Sequence, residues 1–267
     1  GKDNPYLFQP LGSIVVAYMG EIFSLDINNT LLLSRFVLTF AVIILIYAFV
    51  FVLSGDKLLA LSSAILLILG DDLLSYSGIR QLFNGVSPDS FLRITRPVNP
   101  AMIYTLFFSF LASFWLFYKE ENGKKRWIYA AISTFILGLN FYHYFYTWTY
   151  LYAFGGLLVL IHLIRRQWQE VVRISAVFVG AFVLAIPFIL NLYHASKFPA
   201  YEEVGMRHGI VFTHGLLFVG SSVIIALAIF LIFFPKEDRK KYLFGLAMLL
   251  TPFITMNQQV ITGKIMQ

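Results

Sequence analysis

No cysteine occurs anywhere in the chain. That excludes a disulfide frame and a thiolate metal site, and it leaves the redox compartment unread. Charge is the second scarcity. Asp, Glu, Lys and Arg make up 13% of the residues, where a soluble domain carries about 25%. The sequence has no glycine loop of the phosphate-binding kind, no nucleophile elbow and no zinc-binding helix motif. No internal repeat, low-complexity tract or signal peptide is visible. Residue 1 is Gly, and Thr262 to Gln267 carry no terminating signal. The chain is therefore expected to be an internal piece of a longer protein.

Apolar residues fill the space that charge leaves. They account for 59% of the chain, with 28 Phe and a mean hydropathy of +0.77. A soluble fold would have to hide every Phe, whereas a bilayer accepts Phe on the outer surface of a protein. The formal net charge is +6, but the basic residues stand in short clusters between apolar runs. That pattern points to orientation in a membrane and not to a nucleic-acid partner.

A hydrocarbon core about 30 Å thick needs roughly 20 apolar residues as helix. Runs approaching that length lie at 31–54, 58–74, 101–118, 174–193, 215–234 and 242–256. The stretch 127–164 would be about 57 Å long as one helix at ~1.5 Å per residue, so it is divided at the polar, aromatic cluster Asn140 to Trp148. Eight spans result. Charge tests that number independently. With eight spans, one set of connections holds Lys57, Lys119, Lys124, Lys125, Arg126, Arg165, Arg166, Arg173, Lys236, Arg239, Lys240 and Lys241. Basic residues outnumber acidic ones two to one in that set and are balanced by them in the other. The basic set is read as cytoplasmic. A single span over 127–164 would put two basic loops on opposite sides.

The reading is an all-α, polytopic transmembrane helical bundle of about eight spans, forming one transmembrane domain over 1–267. Residues 1–30 form an outer segment with an interfacial amphipathic helix in Ser13 to Leu25. A ninth span there fails on length and on the nearby Gly20, Glu21 and Asp26. Residues 31–256 hold the spans, and 257–267 begin an outer loop. The expected location is a bacterial or archaeal plasma membrane, with the active face outside.

Candidate chemistry gathers on the outer connections, which are longer and more varied than the cytoplasmic ones. Asp71 and Asp72 stand where the second span meets water. An acidic pair there suits a divalent cation holding a phosphate, or a base of raised pKa; it also suits a plain helix end. Arg93 and Arg96, with Pro97 and Pro100 behind them, can clamp a phosphate by bidentate hydrogen bonds, or simply meet anionic headgroups. Tyr142, His143 and Tyr144 lie in the aromatic cluster, which is either an interfacial anchor or a stacking platform for a sugar or prenyl chain. Asn257 and Gln258 follow the last span, where amides bind sugar hydroxyls or cap helices. Glu202, Glu203 and Arg207 fit a lid or a solvated loop. His194, His208 and His214 share no ligand spacing, so no metal site is assigned to them.

The segment NPYLFQPLGSIVVAYMGEIFSLDINNTLLLSRFVLTFAVIILIYAFV, residues 4–50, resembles the region after the first outer loop in GT-C membrane glycosyltransferases. That class includes protein mannosyltransferases and oligosaccharyltransferases. Tyr6 to Leu11 would fill its aromatic-x-Pro-Leu element, the helix around 13–25 its interfacial helix, Asn28–Asn29 its turn, and Arg35 the opening of the next span. The resemblance implies sugar transfer from a polyprenyl-phosphate or polyprenyl-pyrophosphate donor on the outer face, with an acidic residue of the first outer loop as base or metal ligand. In the family that acid precedes the aromatic-Pro-Leu element, where this chain begins. Asp3 is the acid left in that place, and Lys2 joins the arginines as a cation for the leaving phosphate. Membrane lipids, the lipid-linked donor and an unidentified acceptor are the partners so implied. A transporter or flippase for a lipid-linked or hydrophobic substrate is the alternative. It fits less well, because the span middles are almost free of charge and show no repeat.

Overall fold

The computed structural model describes residues 10–69, 80, 83–85, 100–198, 210–212, 221–234, 238–257, 260 and 264–266. Long apolar runs become helices, even where Pro187 and Pro252 stand inside them. They are α1 (Leu11–Ile22), α2 (Ile27–Ser54), α3 (Lys57–Leu69), α4 (Met102–Lys119), α5 (Gly123–Phe141), α6 (Phe145–Ile164), α7 (Trp168–Ala195), α8 (Ser221–Phe233) and α9 (Arg239–Met256). Two strands of three residues, β1 (Ile210–Phe212) and β2 (Lys264–Met266), pair antiparallel with Ile210 opposite Met266. Apart from that ribbon, the described elements are helical, as expected.

Four of these helices, α2, α4, α6 and α7, are long and apolar enough to cross a membrane. The chain is an integral membrane protein by that measure. The apolar helices α1, α3 and α8 are shorter. Helices α5 and α9 open on three basic residues each, Lys124 to Arg126 and Arg239 to Lys241. The division of 127–164 falls at Tyr142–Tyr144, between α5 and α6. Residues 70–74 and 215–220 of the expected spans lie outside the described residues.

Short polar side chains start several helices. Asp26 accepts from the Asn29 amide at 2.8 Å, Asn122 from Lys125 at 3.2 Å and Asp238 from Lys241 at 3.1 Å. Asp56 accepts from Leu58 and Leu59 at 2.8 and 3.1 Å. Each satisfies backbone donors that have no partner inside the helix. Gly55 ends α2 with φ 79°, a left-handed conformation that favours glycine.

The chain divides into two compact units, one over Gln9–Tyr144 and the other built from Phe145 onward. In the first, the Trp115 indole donates to the Val52 carbonyl at 3.0 Å, tying the end of α4 to the end of α2. Leu38 of α2 packs with Ala101, Met102 and Leu106 at the start of α4, so the two helices run parallel. Asn122 turns α5 back along α4, where the Ser133 and Ser113 hydroxyls meet at 3.1 Å. Small hydroxyl residues let membrane helices approach closely and bond across the gap.

In the second unit, α6 packs against α7 and α9. Gly155 makes the first contact close, since a Cβ there would run into the Phe178 ring. The Tyr152 hydroxyl donates to the Phe178 carbonyl at 2.8 Å. Against α9, the Tyr150 hydroxyl donates to the Met248 carbonyl at 3.0 Å. Four residues on from Met248 stands Pro252, which has no N–H to offer that carbonyl. A phenol from the neighbouring helix supplies the hydrogen bond that proline removes.

Candidate functional site

Helix α1 has three faces, each four residues in step. Gly12, Val16 and Gly20 are buried, and α1 packs against α2. Gly20 permits the approach, because a Cβ there would lie 2.6 Å from the Thr30 hydroxyl oxygen. Ile14, Tyr18 and Ile22 form an exposed apolar stripe. Ser13, Ala17 and Glu21 face a groove shared with the beginning of α2.

A short turn fixes that groove. Ser24 takes the left-handed conformation, φ 51°. Its amide donates to the Glu21 carbonyl, and the Leu25 amide donates to the Gly20 carbonyl. Asp26 then caps α2, and the Thr30 hydroxyl donates to the Asp26 carbonyl at 2.7 Å. The groove is open and holds about 530 Å³. Val16, Leu25, Ile27 and Leu31 give it apolar walls, while Ser13, Ser24 and Thr30 contribute hydroxyls. Glu21 is the one charged residue among the described residues that lines it, and its side chain is exposed.

The other end of α1 is tied to the turn after α5. The Leu11 amide donates to the Tyr142 carbonyl at 3.0 Å. Leu11 and Val15 pack on the core of Leu38, Ala101, Met102 and Leu106, beside Ile136 and Leu139. One short helix thus connects the groove with the aromatic turn.

That turn is closed by backbone bonds. The amides of His143 and Tyr144 both donate to the Asn140 carbonyl at 3.2 Å. Asn140 is fully buried, and His143 is 7% exposed. The Asn140 Nδ2 donates to the Ile136 carbonyl at 2.9 Å. Its Oδ1, like His143 Nε2, has no hydrogen-bond partner among the described residues. Burial holds His143 well below the ordinary imidazole range, at about 4, because a dry surrounding disfavours the charged form. Tyr142 and Tyr144 are partly exposed.

Of the residues expected to carry chemistry, Tyr142, His143 and Tyr144 thus share one turn. Asn257 closes α9 in the other unit, where its Nδ2 donates to the Phe253 carbonyl at 2.9 Å. Lys2, Asp3, Asp71, Asp72, Arg93, Arg96 and Gln258 lie outside the described residues. Among the described residues no three His, Asp or Glu side chains gather as a metal site would require. Sequence reading passed over two residues that the structure brings forward. Glu21 was used only to reject a ninth span, yet it lines the groove. Asn140 was read as the edge of an aromatic cluster, although an amide in an apolar helix is itself a signal.

Comparison with known proteins finds no matching family model, no matching curated relative and no matching solved structure.

Proposed function

We propose that the chain is the membrane-embedded part of a glycosyltransferase. It moves a sugar from a polyprenyl-phosphate-type lipid to an acceptor at the face away from the cytoplasm. The finer topology belongs to the same proposal: eight spans, with α1 lying along the outer interface. Its stripe of Ile14, Tyr18 and Ile22, exposed in the structure, would face lipid, because a helix of 12 residues is too short to span.

One observation carries the reading. A short helix packed on the start of the first long apolar helix frames an open groove, and a carboxylate lines its otherwise apolar and hydroxyl surface. An apolar groove at the membrane border suits a prenyl chain or a lipid acceptor. A carboxylate there suits the proton transfer that glycosyl transfer needs. In the proposed step an acceptor O–H attacks the anomeric carbon. The bond from that carbon to the phosphate oxygen breaks, the phosphate keeps the electron pair, and the acceptor proton passes to the carboxylate. Glu21 is the described candidate for that base, beside Asp3, Asp71 and Asp72. Arg93, Arg96 and Lys2 are the candidates to stabilise charge growing on the phosphate.

The test uses the full-length protein in nanodiscs with a labelled polyprenyl-phosphate sugar. Removing the base should lower turnover by about 10²-fold or more. Glu21→Gln tests the groove, and the double variant Asp71→Asn, Asp72→Asn tests the acidic pair. Unchanged turnover in both would remove these carboxylates from the mechanism. Movement of the labelled lipid between leaflets without any transfer would sink the transferase reading in favour of a flippase.

A further inference from the structure

We propose that the groove between α1 and the start of α2 takes an uncharged, hydroxyl-bearing lipid and turns phosphorylated lipids away. Calling that lipid the acceptor of the sugar rests on the transferase reading, whereas its chemistry follows from the groove.

Charge comes first. Residues 10–34, which build α1 and the opening of α2, include no Lys, Arg or His, and they hold two carboxylates, Glu21 and Asp26. Asp26 is engaged by the amide and the side chain of Asn29, at 2.8 and 3.0 Å. Glu21 is not. It lines the groove with Ser13 and Ser24, and none of these three side chains has a hydrogen-bond or ionic partner among the described residues. A lipid phosphate entering the groove meets like charge there, and no cation among the described lining residues offsets the repulsion.

Shape and hydrogen bonding narrow the occupant further. The groove's 530 Å³ falls within the ~300–1,000 Å³ of small-molecule sites, and its apolar walls suit an alkyl chain. Ala17 stands midway between Ser13 and Glu21 on one face of α1, and its small side chain leaves the path along the helix open. The exposed stripe of Ile14, Tyr18 and Ile22 borders that face, so an apolar chain passes from lipid into the groove without crossing water. A carboxylate only accepts hydrogen bonds, while a serine hydroxyl both gives and takes them. A lipid hydroxyl answers both kinds of partner. An ammonium has hydrogens for Glu21 but no lone pair for the serines.

The experiment uses the full-length protein in phosphatidylcholine nanodiscs and three probes. They share a dodecyl chain ending in a diazirine and differ in the head: a glycerol ether, a phosphate or an amine. After photolysis, mass spectrometry reads the label on residues 13–31, normalised to the label on α7. In the wild type the glycerol ether should label the groove at least about fivefold more than the phosphate, the order expected for a nearby like charge. It should also exceed the amine. Glu21→Gln keeps the volume and removes the charge, and should bring the phosphate to within about twofold of the glycerol ether. Ala17→Leu fills the groove from an exposed position, and should cut glycerol-ether labelling about fivefold. Equal or stronger labelling of the wild type by the phosphate or the amine would overturn the proposal. So would unaltered labelling in Ala17→Leu, or a phosphate still shut out of Glu21→Gln. The two readings separate cleanly. Selective labelling with no sugar transfer by the wild type keeps the neutral-lipid site and removes the transferase. Transfer by the wild type with unselective labelling does the reverse.

Discussion

His143 sits in a turn between helices, where a histidine ordinarily meets water, yet it is 7% exposed. Burial holds its pKa at about 4 in the folded chain, against about 6.5 in an unfolded one. As pH falls, the unfolded chain therefore takes up the proton first. Stability is fully present above about pH 6.5 and declines toward pH 4, by ~3 kcal/mol at most. Unfolding midpoints measured across that window should fall with pH for the wild type and change less for His143→Phe. Parallel decline in the two would locate the acid sensitivity elsewhere. The unusual environment of this residue was only half legible in the sequence. The aromatic cluster marked the place, but which atoms are engaged depends on Asn140 bonding back to Ile136, and periodicity carries no trace of that.

At the scale of elements, helix length and composition did most of the work. The apolar runs became helices because their length and hydropathy outweigh the two prolines inside them, Pro187 and Pro252, and the length limit of a span is enough to place the α5–α6 turn. Pairing between distant segments was not legible. Ile210–Phe212 and Lys264–Met266 are too short to signal strands by alternation, and they meet only through the fold. The α1–α2 groove was hidden for a similar reason, since it depends on Gly20 standing against Thr30. That contact makes a sharp prediction. Gly20→Ala should destabilise the protein by about 1–3 kcal/mol through overpacking, read as a lower melting temperature in detergent. Thr30→Ala in the same chain should recover part of the loss. Additive losses would show that the two helices do not depend on this close approach.

For the whole molecule, the absence of cysteine becomes an experimental convenience, because any single cysteine introduced is the only thiol. The proposed eight-span topology would put Glu121, Gln169 and Arg239 on the cytoplasmic side, with Asn28 and Lys197 opposite. Cysteines at those five positions, probed with a membrane-impermeant maleimide, should divide three against two. Any other division would refute the span count or the orientation. The order in which the chain is made bears on the contact between Tyr150 and Met248. Helix α9 carries a proline and so leaves the ribosome with one carbonyl that its own backbone cannot satisfy. Helix α6, with the phenol that serves it, has been synthesised some 100 residues earlier. The donor is waiting when the acceptor arrives, so synthesis itself sets a sequence of assembly in which the later, proline-bearing helix is completed by the earlier one.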